Sequence, residues 1–283
     1  MTAISTSRAV PASRAGRVLP RAATYVALSV AAFVSVFPFI WMMISSTNTS
    51  IDIIKGKATF GSAFSNNVAN FFAQVDVPLV FWNSAKVAIL ATLLTIAVSS
   101  LAGYGFEMFR SKMRDRIYSL VLLTLMVPFA ALMIPLFMMM GKAGLINTHI
   151  AILLPTVASA FIIFYFRQAT KAFPTELRDA AKVDGLKEWQ IFLYIYVPVM
   201  RSTYAAAFVI VFMMNWNNYL WPLIVLQSND TKTITLVVSS LASAYYPDFG
   251  VVMIGTILAT LPTLLVFFVM QRQFVAGMLG SVK

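Results

Sequence analysis

Long apolar blocks separated by short polar segments dominate the hydrophobic pattern of this chain. Six of the blocks, at about 22–46, 81–109, 117–140, 150–166, 203–226 and 250–270, are long enough to cross roughly 30 Å of hydrocarbon as helices. The fourth is the shortest. Pro38, Pro128, Pro135, Pro155, Pro222 and Pro262 lie within or near these blocks. There a missing N–H kinks the helix and frees backbone groups that a neighbouring helix or water must satisfy. Helices interrupted in this way line something more often than they merely anchor. The pattern predicts an all-α polytopic membrane protein of about six transmembrane helices, a single domain over 22–283 behind an arm at 1–21.

Composition agrees with that reading. Of the 283 residues, 60% are hydrophobic and 11% charged, which would leave a soluble fold with more apolar surface than it could bury. The arm carries Arg8, Arg14, Arg17 and Arg21 and no acid, as a transit or signal peptide does. The run that follows it exceeds a signal peptide's apolar core, so it is read as a retained first span behind a disordered cytoplasmic arm. A net charge of +11 invites a nucleic-acid reading, but the basic residues sit in short clusters at the ends of apolar runs, with no basic face interleaved with aromatics. If the N-terminus is cytoplasmic, 16 of the 21 Lys and Arg fall on the inside, and the positive-inside rule places both termini and the 167–202 segment there.

That segment is the longest polar interruption on the inner side. Its pattern predicts two short helices: one opening at Thr175 as N-cap, with Glu176 and Asp179 in the first turn, and closing at Gly185. In the second, Leu186, Trp189, Leu193 and Tyr196 form one apolar face leading to Pro198. An ordinary amphipathic loop and a partner-docking site both fit this spacing. In the fifth span, Asn215, Trp216, Asn217, Asn218, Tyr219, Trp221 and Pro222 form the most polar cluster at membrane depth. Amides beside aromatics suit either hydrogen bonding between helices with an interfacial aromatic belt, or a wet pathway for a sugar. Outside, a short helix is expected around Val68 to Phe72, and 227–249 runs to Tyr245, Tyr246 and Pro247.

The stretch Asp179-Ala180-Ala181, three residues, Gly185, then nine residues to Ile195 and Pro198 resembles the loop signature of inner-membrane permeases of ABC importers. Asp184 and Trp189 resemble the version in maltose-type sugar permeases, whereas Asp179 stands for the usual Glu and Val197 for the usual Leu. Asn83-Ser84, Ala102 to Phe106, Ile134 to Phe137 and Gln273 to Met278 with Gly280 to Lys283 are similar to other segments of that family, so the resemblance covers nearly everything after residue 22. Some tail and loop details are similar to permeases for lactose-like or other small oligosaccharides.

The resemblance implies a pore half in the bacterial inner membrane, importing a sugar or small oligosaccharide. Its partners would be two cytoplasmic ATPase subunits, a second permease, an extracytoplasmic sugar-binding protein and membrane lipid, with no nucleic acid. The loop would be the coupling-helix pair: Asp179 meets a basic residue of the ATPase, Ala180 and Ala181 permit close docking, Gly185 sets the turn and Trp189 packs the pair. Asn215, Asn217, Asn218 and Tyr219 would line the translocation pathway. The last external loop would face the binding protein or simply connect two helices, and the tail would reach the ATPase interface.

No phosphate-binding loop occurs, because Gly56-Lys57 and Gly141-Lys142 lack both the preceding glycine and the following Ser or Thr. ATP is therefore expected on a separate subunit, with no cofactor here. There is no cysteine, and His149 is the single histidine, so neither a thiolate nucleophile nor a metal centre is expected. No catalytic constellation appears at membrane depth, which argues against an enzyme. An ion-coupled secondary transporter of a small polar solute is the alternative. It is weakened by spans with no Asp or Glu well inside and by no visible symmetry between the two halves.

Overall fold

The computed structural model describes residues 21–279. All of the expected arm except Arg21, and the Gly280 to Lys283 end of the tail, lie outside them. In chain order the helices are α1 Arg21–Ser45, α2 Ser50–Ile54, α3 Phe64–Gln74, α4 Val77–Met108, α5 Lys112–Leu123, α6 Phe129–Lys142, α7 His149–Thr156 and α8 Ala160–Thr170. There follow α9 Thr175–Val183, α10 Glu188–Ile191, α11 Val197–Val199, α12 Arg201–Trp216, α13 Leu220–Val225, α14 Ile234–Ala242 and α15 Phe249–Leu279. The short helix expected around Val68 to Phe72 is α3.

Four stretches, Ala23–Ser45, Val77–Met108, Arg201–Val225 and Phe249–Val275, are each long and apolar enough to cross a membrane, and two bent pairs bring the number to six. Those pairs fall on the spans expected at 117–140 and 150–166, and their bends lie at or just after Pro128 and Pro155, two of the prolines expected to kink them. The α5 stretch and α6 meet at 101°, and α7 and α8 at 43°. At the first corner Val127 turns extended (ψ 116°) before Pro128, which has no N–H to carry the helix onward. At the second, Pro155 sits in the last turn of α7, and Ser159 starts α8 afresh by accepting a hydrogen bond from Ile162 N. The fifth span is interrupted too, between Trp216 and Leu220.

The centre of the molecule is α4, more than half of whose apolar window is buried, while none of α1's is. Lipid tails are as apolar as leucine, so helices in a bilayer gain little from burying large apolar faces against one another. They associate through close packing of small residues. Along α4 the buried positions include Ala88, Ala91, Thr92, Thr95, Ser99 and Ser100, and on α12 Ala206 and Ala207 are fully buried. Another helix comes close at Gly103, where an added Cβ would lie 2.7 Å from Phe166 Cβ and 2.8 Å from Arg167 N. Only glycine admits α8 at that distance.

At one end of the bundle, opposite the 171–200 segment, polar side chains fasten the connections. Asn83 Nδ2 donates to Asp230 O (2.7 Å), and Ser84 Oγ accepts from Ile234 N (2.7 Å), so the Asn-Ser pair opening the second span ties α4 to the start of α14. Asn147, at φ 63°, accepts through Oδ1 from Gln227 N, Ser228 N and Thr231 Oγ1. The Gly103 contact gives a direct test. Gly103→Val forces α4 and α8 apart, and the purified protein in detergent should lose about 1–3 kcal/mol of stability, read as a lower thermal midpoint.

Candidate functional site

Two places concentrate polar chemistry, and the first is the 171–200 segment. α9 closes as expected at Gly185, whose φ of +80° is left-handed backbone that glycine adopts without strain. Leu186 N donates to Ala181 O and Gly185 N to Lys182 O, both at 3.0 Å, which together satisfy the carbonyls of the last turn. The start of the helix differs from expectation. Pro174 holds the cap position with no side-chain hydrogen bond, and Thr175 is already helical. Asp179 consequently falls in the second turn, leaving Glu176 as the acid of the first.

Sequence periodicity also misplaces the apolar face of the second helix. Phe192 to Tyr196 form a π-helical turn, wider than an α-turn. This brings Phe192, Tyr196 and Met200 into one buried row with Tyr104 and Phe173. Tyr196 is the centre of this foot: its ring lies 4.8 Å from Tyr104, 5.3 Å from Phe173 and 5.4 Å from Phe192, and its hydroxyl shares a hydrogen bond with Thr170 Oγ1 (2.6 Å). Trp189, expected between the two helices, is instead 55% exposed and faces an apolar groove with Leu93, Ile96 and Leu193.

Glu188, which carries no expectation from the sequence, fixes the pair. Its carboxylate receives Arg178 (2.7 Å) and Lys182 (2.9 Å) from α9 and the Tyr104 hydroxyl (3.3 Å) from α4. Burial pushes this carboxyl up, but the hydrogen bonds and charges of Arg178 and Lys182 outweigh it and hold it below its ordinary value. Arg178 also stands 4.8 Å over the Phe109 ring just past α4. Beside this clamp, Arg167, with its side chain 10% exposed, reaches Asp115 (2.8 Å) and Glu107 (3.3 Å) and covers the Tyr118 ring.

With the foot so held, α9 turns an open face outward. Asp179, Ala180, Asp184 and Gly185 are exposed, as is Pro198. Ala181 is buried within the chain and Ile195 packs half-buried against the foot. Val183, 88% exposed, joins the open face, and its signal in the sequence was an apolar residue opposite Ala181. The segment is thus a rigid, capped helix pair with one face anchored and one face free.

The second place is a cavity of about 360 Å³ inside the bundle, lined from α4 by Thr95, from the α7–α8 break by Thr156 and Ser159, from the start of α6 by Phe129, and by Asn215 and Asn218. Asn217 and Tyr219 are not among its lining residues: Asn217 is exposed and donates to Met213 O (2.9 Å), and Tyr219 packs against the cluster around Trp221. On the opposite end of the bundle from the helix pair, Tyr245 and Tyr246 stand 90% and 86% exposed on the loop after α14.

Residues 96–280 match the family model described as "Binding-protein-dependent transport system inner membrane component". The chain is 80% identical over 267 residues to the lactose transport system permease protein LacG of Rhizobium radiobacter, covering 94% of this chain and 98% of the relative. It is 34% identical to the arabinooligosaccharides transport system permease protein AraQ of Halalkalibacterium halodurans, over 89% of this chain and 92% of the relative. Its identity with the sn-glycerol-3-phosphate transport system permease protein UgpE of Agrobacterium fabrum is 30%, over 94% and 99%. A crystal structure of a bacterial ABC transporter involved in the import of the acidic polysaccharide alginate superposes with a TM-score of 0.73 at 22% identity, over 93% of this chain and 99% of that one, which establishes the fold. These similarities favour the importer and not the ion-coupled carrier. The chain belongs to the family of inner-membrane components of binding-protein-dependent transport systems.

Proposed function

We propose that this chain is one half of the membrane pore of an ATP-driven sugar importer, with lactose or a similar small oligosaccharide as cargo. The observation that carries the proposal is the helix pair, anchored by Tyr196 and Glu188 to the ends of the spans and open along Asp179, Ala180, Val183 and Asp184. A surface that is rigid inside and free outside suits the docking of another protein whose movement has to reach the membrane. High identity to a lactose permease along nearly the whole chain supports the cargo class.

In this reading both termini and the helix pair are cytoplasmic, and two separate ATPase subunits bind and hydrolyse ATP. A second permease completes the pore, and an extracytoplasmic binding protein delivers the sugar beside the exposed Tyr245 and Tyr246. Asp179 meets a basic residue of the ATPase, Ala180 and Gly185 allow its close approach, and the buried Ala181 lets α9 lie tightly on its own foot. Asn215 and Asn218 line the pathway. Co-purification from native membranes in mild detergent should recover an ATPase with a phosphate-binding loop and a second permease of about six spans. Recovery of this chain alone, with ion-driven uptake after reconstitution, refutes the proposal.

Reversing the charge at the open face, Asp179→Lys, should abolish ATP-coupled lactose uptake while membrane insertion stays at the wild-type level. Normal uptake removes Asp179 from the docking surface. The clamp behind that face has its own signature. A carboxyl held below its ordinary value stabilises the folded form above about pH 4.3, and that contribution is lost as pH falls through the lowered value. Hydrogen exchange over residues 175–190, corrected for its intrinsic pH dependence, should rise in the wild type below about pH 4. In Glu188→Gln it should be roughly three- to fivefold faster at neutral pH, the scale of a partly exposed ion pair, with little further change on acidification.

A further inference from the structure

Three helix interruptions open on one space. Phe129 follows the corner at Pro128, Thr156 and Ser159 belong to the break between α7 and α8, and Asn218 to the break between α12 and α13, and all line the same cavity of about 360 Å³. That volume lies within the range of small-molecule sites, roughly 300–1,000 Å³. Irregular backbone at membrane depth is tolerated where it borders protein or a water-filled space.

The hydrogen-bonding capacity of the lining is only partly used by the protein. Asn215 Nδ2 donates to Val211 O (2.9 Å), which leaves its Oδ1 as an acceptor. Ser159 Oγ accepts from Ile162 N, which leaves its proton to donate. Among the described residues the Asn218 side-chain amide makes no hydrogen bond within the chain, unlike its neighbours Asn215 and Asn217. The same cavity holds the partly exposed ring of Phe129, held edge-on at 6.0 Å by the buried Trp221. Among the described residues no charged side chain lines the cavity.

Uncharged donors and acceptors together with an aromatic ring in one cavity match a neutral sugar ring, whose hydroxyls need partners and whose apolar face needs a surface to lie on. A phosphorylated or acidic cargo would find no cationic side chain here. Resting on the importer reading above, we propose that this cavity is a half-site for one neutral pyranose ring within this chain, with Asn218 and Phe129 as its principal contacts.

The test uses the complete transporter in liposomes, with its ATPase, partner permease and binding protein loaded with radiolabelled lactose. Asn218→Leu and Phe129→Ala should each lower lactose uptake per ATP hydrolysed by about five- to tenfold, the scale of one neutral hydrogen bond or one aromatic contact. ATPase stimulation by the loaded binding protein should stay within about twofold of wild type. Asn218→Ser, which keeps a donor and an acceptor, should restore at least half of the uptake. Unchanged uptake per ATP in both variants overturns the half-site and leaves the importer reading intact. Loss of ATPase and uptake together marks a structural role and also overturns it. A wild-type transporter without ATPase stimulation overturns the importer reading and the half-site with it.

Discussion

A backbone carbonyl that loses its helical donor in a low-dielectric interior must find another, and much of this architecture follows from that requirement. Pro155 has no N–H, so Ala151 O, four residues earlier, has no helical donor. The Trp221 indole supplies one at 2.8 Å. Thr156 O, freed where α7 ends, receives Thr95 Oγ1 from α4 at 2.8 Å. Trp216 O, at the end of α12, receives Thr235 Oγ1 at 3.0 Å. Each repair joins helices distant in sequence. Leaving any one of these groups unpaired would cost about 1–3 kcal/mol, so the interruptions that open the bundle also hold it in register.

Charge is handled differently, by confinement to the ends of the spans. The Arg167 cluster and the Glu188 clamp both grip the last turns of α4, through Glu107 and Tyr104 respectively. Phe109 lies between them with Arg114 at 5.3 Å and Arg178 at 4.8 Å from its ring. A partly buried ion pair is weak evidence for stability, because desolvation offsets much of the attraction, yet removing one partner strands the other. Such clusters therefore fix geometry more than they add free energy. Here the geometry they fix is that of the helix pair relative to α4, α5 and α8.

What the sequence makes legible follows from which forces are local. Gly185 and the closure of α9 are readable because a left-handed residue is a property of the residue itself. Hydropathy places both ends of α1 and α4 and the start of α15 within a few residues, because burying polar backbone in lipid admits few alternatives. It does not give the size of the bends in the third and fourth spans, because counting apolar residues is blind to how far hydrogen bonding fails, and at Pro128 it fails completely enough for a 101° corner. The exposure of Trp189 is hidden for a related reason: one π-turn rotates Tyr196 away from the face that α-periodicity assigns it. The role of Glu188 was invisible because Tyr104 is 84 residues away in sequence. Within the fifth span the amides read as one group, and only the break after Trp216 separates Asn215 and Asn218 from Asn217 and Tyr219.

The two polar places are mechanically joined. α12 begins at Arg201, next to Met200 in the foot around Tyr196, and carries Asn215 at its far end, about 21 Å away at 1.5 Å per residue. α8 begins beside Ser159 on the cavity and ends at Thr170, whose hydroxyl is bonded to Tyr196, about 15 Å along the axis. Neither helix contains a proline or an internal glycine. Close-packed interiors transmit displacement rather than absorb it. In the proposed importer a push on the open face of α9 would reach Tyr196 through the foot, and from there two unbroken helices would carry it to walls of the same cavity. Separating those walls requires no bending within either helix, because the breaks at Val157 to Ser159 and Asn217 to Tyr219 already supply the joints.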